Sequence, residues 1–172
     1  MTGASPQRSL LWVRHGRTAL NARGLLQGRS DPDLDDVGRR QAAAVGAAIA
    51  AGRYGPVVAV VSSPLRRAVQ TAEAIGAPVL TDDRLIELDY GELEGTPVSE
   101  VAPDVWAAWQ SDVLFRPPGG ESLADLGVRV RAACTDWAAT IDGAGTVVMV
   151  SHVSPVKAAV AWALGVGDQI AW

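Results

Sequence analysis

Three short apolar runs rich in β-branched residues, "SLLWV" (9–13), "VVAVV" (57–61) and "TVVMV" (146–150), stand far apart along the chain. Five such residues without polar alternation suit a strand buried on both faces of a parallel sheet, and are too few for a buried helix. Between and after them lie "GRRQAAAVGAAIAAG" (38–52), "SPLRRAVQTAEAIG" (63–76), a tryptophan-containing segment near 99–110, "ESLADLGVRVRAACTDWAAT" (121–140) and "SPVKAAVAWALG" (154–165), all with helical patterns. Parallel strands need long crossovers, which helices supply. The alternation therefore predicts an α/β fold, a three-layer sandwich with a mainly parallel central sheet flanked by helices. "APVL" (77–80) is a candidate fourth strand.

The punctuation fits that frame. Ser63-Pro64 and Ser154-Pro155 each place a capping hydroxyl before a first-turn proline, and Gly76 and Gly165 lie where left-handed caps would end the two helices. Turn-forming residues concentrate in "YGELEGTP" (90–97) and "RPPGGES" (116–122), so residues 89–122 are expected to make excursions over one sheet edge. Trp106 and Trp109, within that region, are read as core rather than as a lid wall.

A chain of 172 residues that is 48% hydrophobic suits one domain, residues 1–172, with a real core. Its net charge of -4 argues against broad capture of nucleic acid or of an anionic membrane, so any anion site must be built locally. The single cysteine, Cys134, rules out an internal disulfide and shares an apolar helical stripe with Leu126, Val130, Trp137 and Ile141, which makes it core. The opening "MTGASPQ" lacks the basic flank and apolar stretch of a leader, and no segment reaches about 18 uninterrupted apolar residues. A soluble, cytoplasmic protein is expected.

The chain has two histidines, and both follow strands. His15 lies two residues past the first run and His152 two past the last, at the carboxyl ends where open α/β sheets bind ligands. One such histidine is ordinarily a strand-end residue satisfied by a carbonyl; two at equivalent places suggest a shared site. "SSPLRRAVQTA" puts Arg66 and Arg67 in a first helical turn after the second buried run, and Arg14 sits beside His15, a grouping suited to a phosphate dianion. Periodicity buries Leu65, Ala68, Val69, Ala72 and Ile75 and does not choose between the two arginines. Two distant histidines and one buried cysteine do not make a zinc site, and neither GxxxxGK[ST] nor GxSxG occurs. No metal and no cofactor are expected.

"LLWVRHGRTALN" (10–21) resembles the Arg-His-Gly signature of the histidine phosphatase superfamily, the phosphoglycerate mutase-like proteins. "SSPLRRAVQTA" (62–72), "LIELDYGELEG" (85–95) and "VVMVSH" (147–152) agree in order and spacing. The resemblance implies that His15 is the nucleophile, becoming a phosphohistidine, and that Arg14, Arg67 and His152 bind the phosphoryl oxygens. It selects Arg67 over Arg66, places Thr18 and Asn21 along the phosphate pocket, and makes Glu87 the proton donor. From the residues alone, Glu87 was only one of four acids with Asp89, Glu92 and Glu94. In the implied mechanism, a neutral imidazole attacks phosphorus, Glu87 protonates the leaving alkoxide and later serves as base towards water, and the arginines and the second imidazolium stabilise the equatorial oxygens.

The short interval before the second histidine resembles the phosphatase branch, which includes broad acid phosphatases and α-ribazole phosphatases, and hydrolysis of a small phosphorylated metabolite is expected. "VVMVSHVSPVK" resembles the acid phosphatase domain that some actinobacterial proteins fuse to a ribonuclease H, a partner for which 172 residues leave no room. A mutase-type phosphotransferase and a non-catalytic phospho-ligand-binding protein of the same fold are the alternatives. An RNA-binding module would want positive charge and an aromatic ladder. Three positions depart from the family pattern. Arg17 stands where Glu or Gln is usual and predicts a preference for substrates with a second acidic group. His-Val-Ser-Pro (152–155) replaces His-Gly-Gly. The usual C-terminal segment is expected to be missing after Trp172, leaving Trp162 and Trp172 exposed and a homo-oligomer open as a possibility.

Overall fold

The computed structural model describes residues 8–171, of which 170 and 171 by backbone alone. Four strands, β1 (Arg8–Arg14), β2 (Val57–Ser62), β3 (Val79–Thr81) and β4 (Gly145–Ser151), form one sheet in the order β1-β4-β2-β3, and every neighbouring pair is parallel. "APVL" does supply the fourth strand, a short one at the edge. The helices are α1 (Ala19–Ala22), α2 (Asp36–Ala50), α3 (Arg66–Glu73), α4 (Pro103–Ser111), α5 (Leu123–Ala139) and α6 (Val153–Leu164).

Side chains alternate across the sheet with a period of two. Val13, Val60, Val148 and Val150 face Ile49 of α2 and Ala68 and Ala72 of α3. Leu10, Trp12, Val61, Val147 and Met149 face the other way, towards α5, α6 and the residues around them. The three layers follow from chain direction. Steps from β1 to β2 and from β2 to β3 run one way across the sheet, and the step from β3 to β4 runs back. Right-handed crossovers then require helices on opposite faces. All seven residues of β4 are buried because it lies in the interior of the sheet, between β1 and β2.

Within the segment 89–122, Val101 and Trp109 join Leu123, Leu126 and Ala158 in the core on the α5–α6 face, with Trp106 packed against them. One expectation is corrected. Neither serine before a proline caps a helix. α3 begins only at Arg66, and α6 begins at Val153 with His152 in the cap position. Ser63 is drawn instead into a hydrogen bond with His152, and the first amides of α6 are taken by Glu87. At the other helix ends, Gly165 caps α6 at φ 65° and Gly76 has φ 80°. Cys134 is fully buried in the core, and Trp162 is half-buried against it, less exposed than expected; Trp172 lies outside the described residues. Among the described residues no helix is long and apolar enough to cross a membrane.

Helices α2 and α3 meet closely at Gly46, where an added Cβ would lie 2.0 Å from the backbone oxygen of Ala74. Gly46→Ala should therefore destabilise the protein by about 1 to 3 kcal/mol, despite the ~1 kcal/mol that alanine ordinarily gains over glycine within a helix. Urea unfolding reads the sign, and a more stable variant would contradict the close contact.

Candidate active site

The parallel register carries the two histidines to one place. Arg14 pairs with Ser151 at the ends of β1 and β4, the ladder runs one bond further from His15 N to Ser151 O at 2.9 Å, and the imidazole centroids stand 5.0 Å apart. After β1 the chain goes on to the α2 face and after β4 to the α6 face. The crevice between these neighbouring strands is thus a topological switch point.

Gly16 serves close approach rather than left-handed geometry. A Cβ there would sit 2.4 Å from Gly38 O, and its N–H donates to Thr71 Oγ1 at 3.0 Å, tying the loop after β1 to α2 and α3. Its carbonyl lies 2.7 Å from His15 Nδ1. A carbonyl only accepts, so Nδ1 carries the proton and Nε2 the free lone pair. Burial, aided by the Arg67 and Arg14 guanidinium groups, holds the His15 pKa down to about 4 against one raising contribution, the Gly16 carbonyl. The ring is neutral at pH 7. His152 is likewise neutral: burial first, then Arg67 and His15, push its pKa well down, so the expected imidazolium is not its state in this structure. Its Nε2 lies 2.8 Å from Ser63 Oγ, while Nδ1 is buried without a partner among the described residues.

Arg67 is fully buried and Arg66 exposed, its guanidinium beside Asp33. To achieve this α3 is rotated from its expected orientation, burying Arg67, Ala68, Thr71 and Ala72 and leaving Leu65 and Val69 only half-buried. The guanidinium donates to the carbonyls of Ser30 at 2.5 Å and Gly28 at 2.9 Å. In the amide orientation that satisfies both its neighbours, Gln27 accepts from Arg67 Nε and Nη1 at 3.0 Å and donates to Thr18 Oγ1 at 2.6 Å. Glu94 anchors the same loop from behind, its carboxylate accepting from the backbone N–H groups of Gly28 (2.9 Å), Arg29 (3.1 Å) and Ser30 (3.2 Å).

Glu87 is buried, and its carboxylate takes the N–H groups of Leu88 and Ser154 on Oε1 (2.8 and 3.2 Å) and of Val153 on Oε2 (3.1 Å). Burial outweighs these bonds and raises its pKa. Arg129, bridged to Glu121 at 2.7 Å, donates to Arg84 O and Glu87 O and so clamps the segment that bears Glu87.

Arg14 and His15 line an open pocket of about 480 Å³ together with Arg17 and Asn21, while Arg67, Glu87 and His152 lie buried outside that lining. Arg14 is exposed, and its guanidinium makes no hydrogen bond or ion pair among the described residues. Arg17 is spoken for, with Nε on Asp35 Oδ2 at 2.8 Å. Thr18 is absent from the pocket lining; it is buried and caps α1, its side chain and that of Asn21 reciprocally bonding backbone N–H groups. Among the described residues no group of three or more His, Cys, Asp or Glu side chains could hold a metal ion.

Residues 10–172 match the histidine phosphatase superfamily (branch 1). The chain belongs to that superfamily. This member is 41% identical over 98% of its length to a bifunctional protein of Mycobacterium tuberculosis, and spans 48% of that protein. It is 39% identical to the glucosyl-3-phosphoglycerate phosphatase of Mycolicibacterium vanbaalenii, over 92% of this chain and 75% of that one. The solved structure of a mycobacterial glucosyl-3-phosphoglycerate phosphatase with inorganic phosphate superposes with a TM-score of 0.81 at 32% identity, covering 96% of this chain and 83% of that one. The α/β fold is thus phosphoglycerate mutase-like, as its motifs implied. Gln27, Thr71, Glu94 and Arg129, which hold this superfamily member's site together, were not distinguished by sequence; only Thr71 and Glu94 lie inside quoted motif blocks.

A histidine whose pKa is held down takes up its proton first in the unfolded chain, so acid favours unfolding. For His15 the loss begins near pH 6.5 and is complete near 4, and His152 adds to it; Glu87, shifted the other way, opposes it. Unfolding free energy should fall by about 2 to 3 kcal/mol from His15 alone between pH 7.5 and 4.5. Urea titrations at both pH values should find a smaller fall in His15→Gln than in the wild type.

Proposed function

We propose that this protein is a metal-independent phosphomonoester hydrolase that acts on a small phosphorylated metabolite through a phosphohistidine on His15. The observation that carries the reading is the fixed tautomer of His15: its Nδ1 proton is held by Gly16 O, leaving a neutral Nε2 beside His152 and among the guanidinium groups of Arg67 and Arg14. Nε2 attacks phosphorus in line, the phosphorus–oxygen ester bond breaks, and the proton of Glu87 passes to the leaving oxygen. Oε2 is the oxygen suited to hold that proton, because Oε1 already accepts two N–H groups. Glu87 then takes a proton from water, which cleaves the phosphorus–nitrogen bond and releases phosphate. Arg14, Arg67 and Nδ1 of His152 meet the phosphoryl oxygens; an arriving dianion offsets the forces that keep His152 neutral.

Asn21 lines the pocket, Thr18 holds Asn21 in place, and Arg17, committed to Asp35, shapes the rim. The relatives' phosphatase names support hydrolysis. The net charge of -4 speaks for a small substrate over nucleic acid or membrane, and the buried Cys134 suits a reducing, cytoplasmic setting.

Turnover of p-nitrophenyl phosphate without added metal tests the reading. His15→Ala should lower kcat by at least about 1000-fold and abolish the acid-labile phosphoenzyme trapped from labelled substrate. Glu87→Gln should cost about 100- to 1000-fold on alkyl phosphates and much less on p-nitrophenyl phosphate, whose leaving group departs without a proton. Full activity in His15→Ala would refute the assignment. For the loop that holds Arg67, Glu94→Gln should reduce kcat/KM by about 10- to 100-fold while leaving the phosphoenzyme detectable.

A further inference from the structure

The chain has fourteen arginines and one lysine, Lys157, and that lysine lines a cavity beside the residues that hold Glu87. Glu87 must reach the ester oxygen that departs, so the rest of the alcohol lies on the Glu87 side of phosphorus. A second cavity of about 370 Å³, the size of a small-ligand cleft, is lined by Leu88, Val153 and Ser154, whose backbone N–H groups hold the Glu87 carboxylate. Its other walls include Tyr90, Trp106 and Trp109, with ring centroids 6.0 Å apart for Tyr90 and Trp109 and 5.4 Å for the two tryptophans.

Lys157 is half-buried on this cavity, and its ammonium forms no ion pair or hydrogen bond among the described residues. It follows Val153 and Ser154 by four and three positions on α6, so the three share one helix face. Helical side chains lean towards the N-terminus, which directs the lysine stem back along the cavity towards the end where Glu87 is bound. Aromatic walls take a ring, and an unpaired ammonium takes an anion.

Resting on the phosphatase reading above, we propose that this cavity is the leaving-group subsite and that Lys157 is its specificity-determining residue, selecting phosphate esters whose alcohol carries a ring body and a second anionic group such as a carboxylate. The second acid expected from Arg17 on sequence thus finds its cation elsewhere, because Arg17 is already paired with Asp35.

A matched pair of substrates, para-carboxyphenyl phosphate and para-carbamoylphenyl phosphate, has the same outline and differs in charge at the far end of the ring. In the wild type kcat/KM should favour the carboxylate. Lys157→Met should lower the carboxylate-to-amide ratio by about 10- to 100-fold, mostly through KM, and Lys157→Arg should restore much of it. Electronic differences between the leaving groups cancel in that comparison. If p-nitrophenyl phosphate is hydrolysed but the ratio does not move in Lys157→Met, the subsite is wrong and the phosphatase reading stands. If the wild type hydrolyses none of the three esters, the phosphatase reading fails and the subsite falls with it.

Discussion

The arrangement of the site depends on a buried cation. A fully buried guanidinium is costly unless every donor is met, and breaking such an arrangement typically costs several kcal/mol because the charge is left uncompensated. Arg67 is met by neutral oxygens, the carbonyls of Gly28 and Ser30 and the amide of Gln27, with no carboxylate bonded to it directly. Its charge is therefore solvated but not neutralised, and it still lowers the pKa values of both histidines. Negative charge is held one layer back, in Glu94, which grips the N–H groups of the peptides that present those carbonyls. The proposed phosphate site is served by this: a carboxylate in contact with Arg67 would compete with an anionic ligand.

The same separation of charge from contact recurs around Glu87. Its carboxyl is wrapped in backbone N–H groups and still raised by burial, while Arg129, a full cation nearby, addresses only the carbonyls of its segment and spends its charge on Glu121. A salt bridge to Glu87 itself would fix it as a carboxylate and deny it the proton that the proposed general-acid role requires.

The layers and the sheet were legible because their signal is local: five-residue β-branched runs and helical spacing. The places of His15, His152 and Glu87 were legible as motif blocks, whose order along the chain is itself a record of topology. Helix starts were misjudged for one reason in both cases. Ser63 and Ser154 have a cap's local chemistry, but the site claims the Ser63 hydroxyl and the amides around Ser154. Likewise α3 turns to bury Arg67 at the expense of Leu65 and Val69, because carbonyls contributed from residues 28 and 30 outweigh part of an apolar stripe. Gln27, Arg129 and Lys157 were not singled out, and Glu94 only as one of four acids, since each acts across contacts that no spacing encodes.

The order of strands also governs when the molecule can exist at all. β4, the last strand among the described residues, lies between the first two, and Arg8 pairs with Gly145 far along the chain. During synthesis β1 and β2 therefore wait with their inner edges unpaired until the final third of the polypeptide arrives. Such non-local closure is slow, and leaves apolar edges open to wrong partners meanwhile. His15 meets His152 only when that gap closes, so a partly folded chain holds no half-assembled version of the proposed centre.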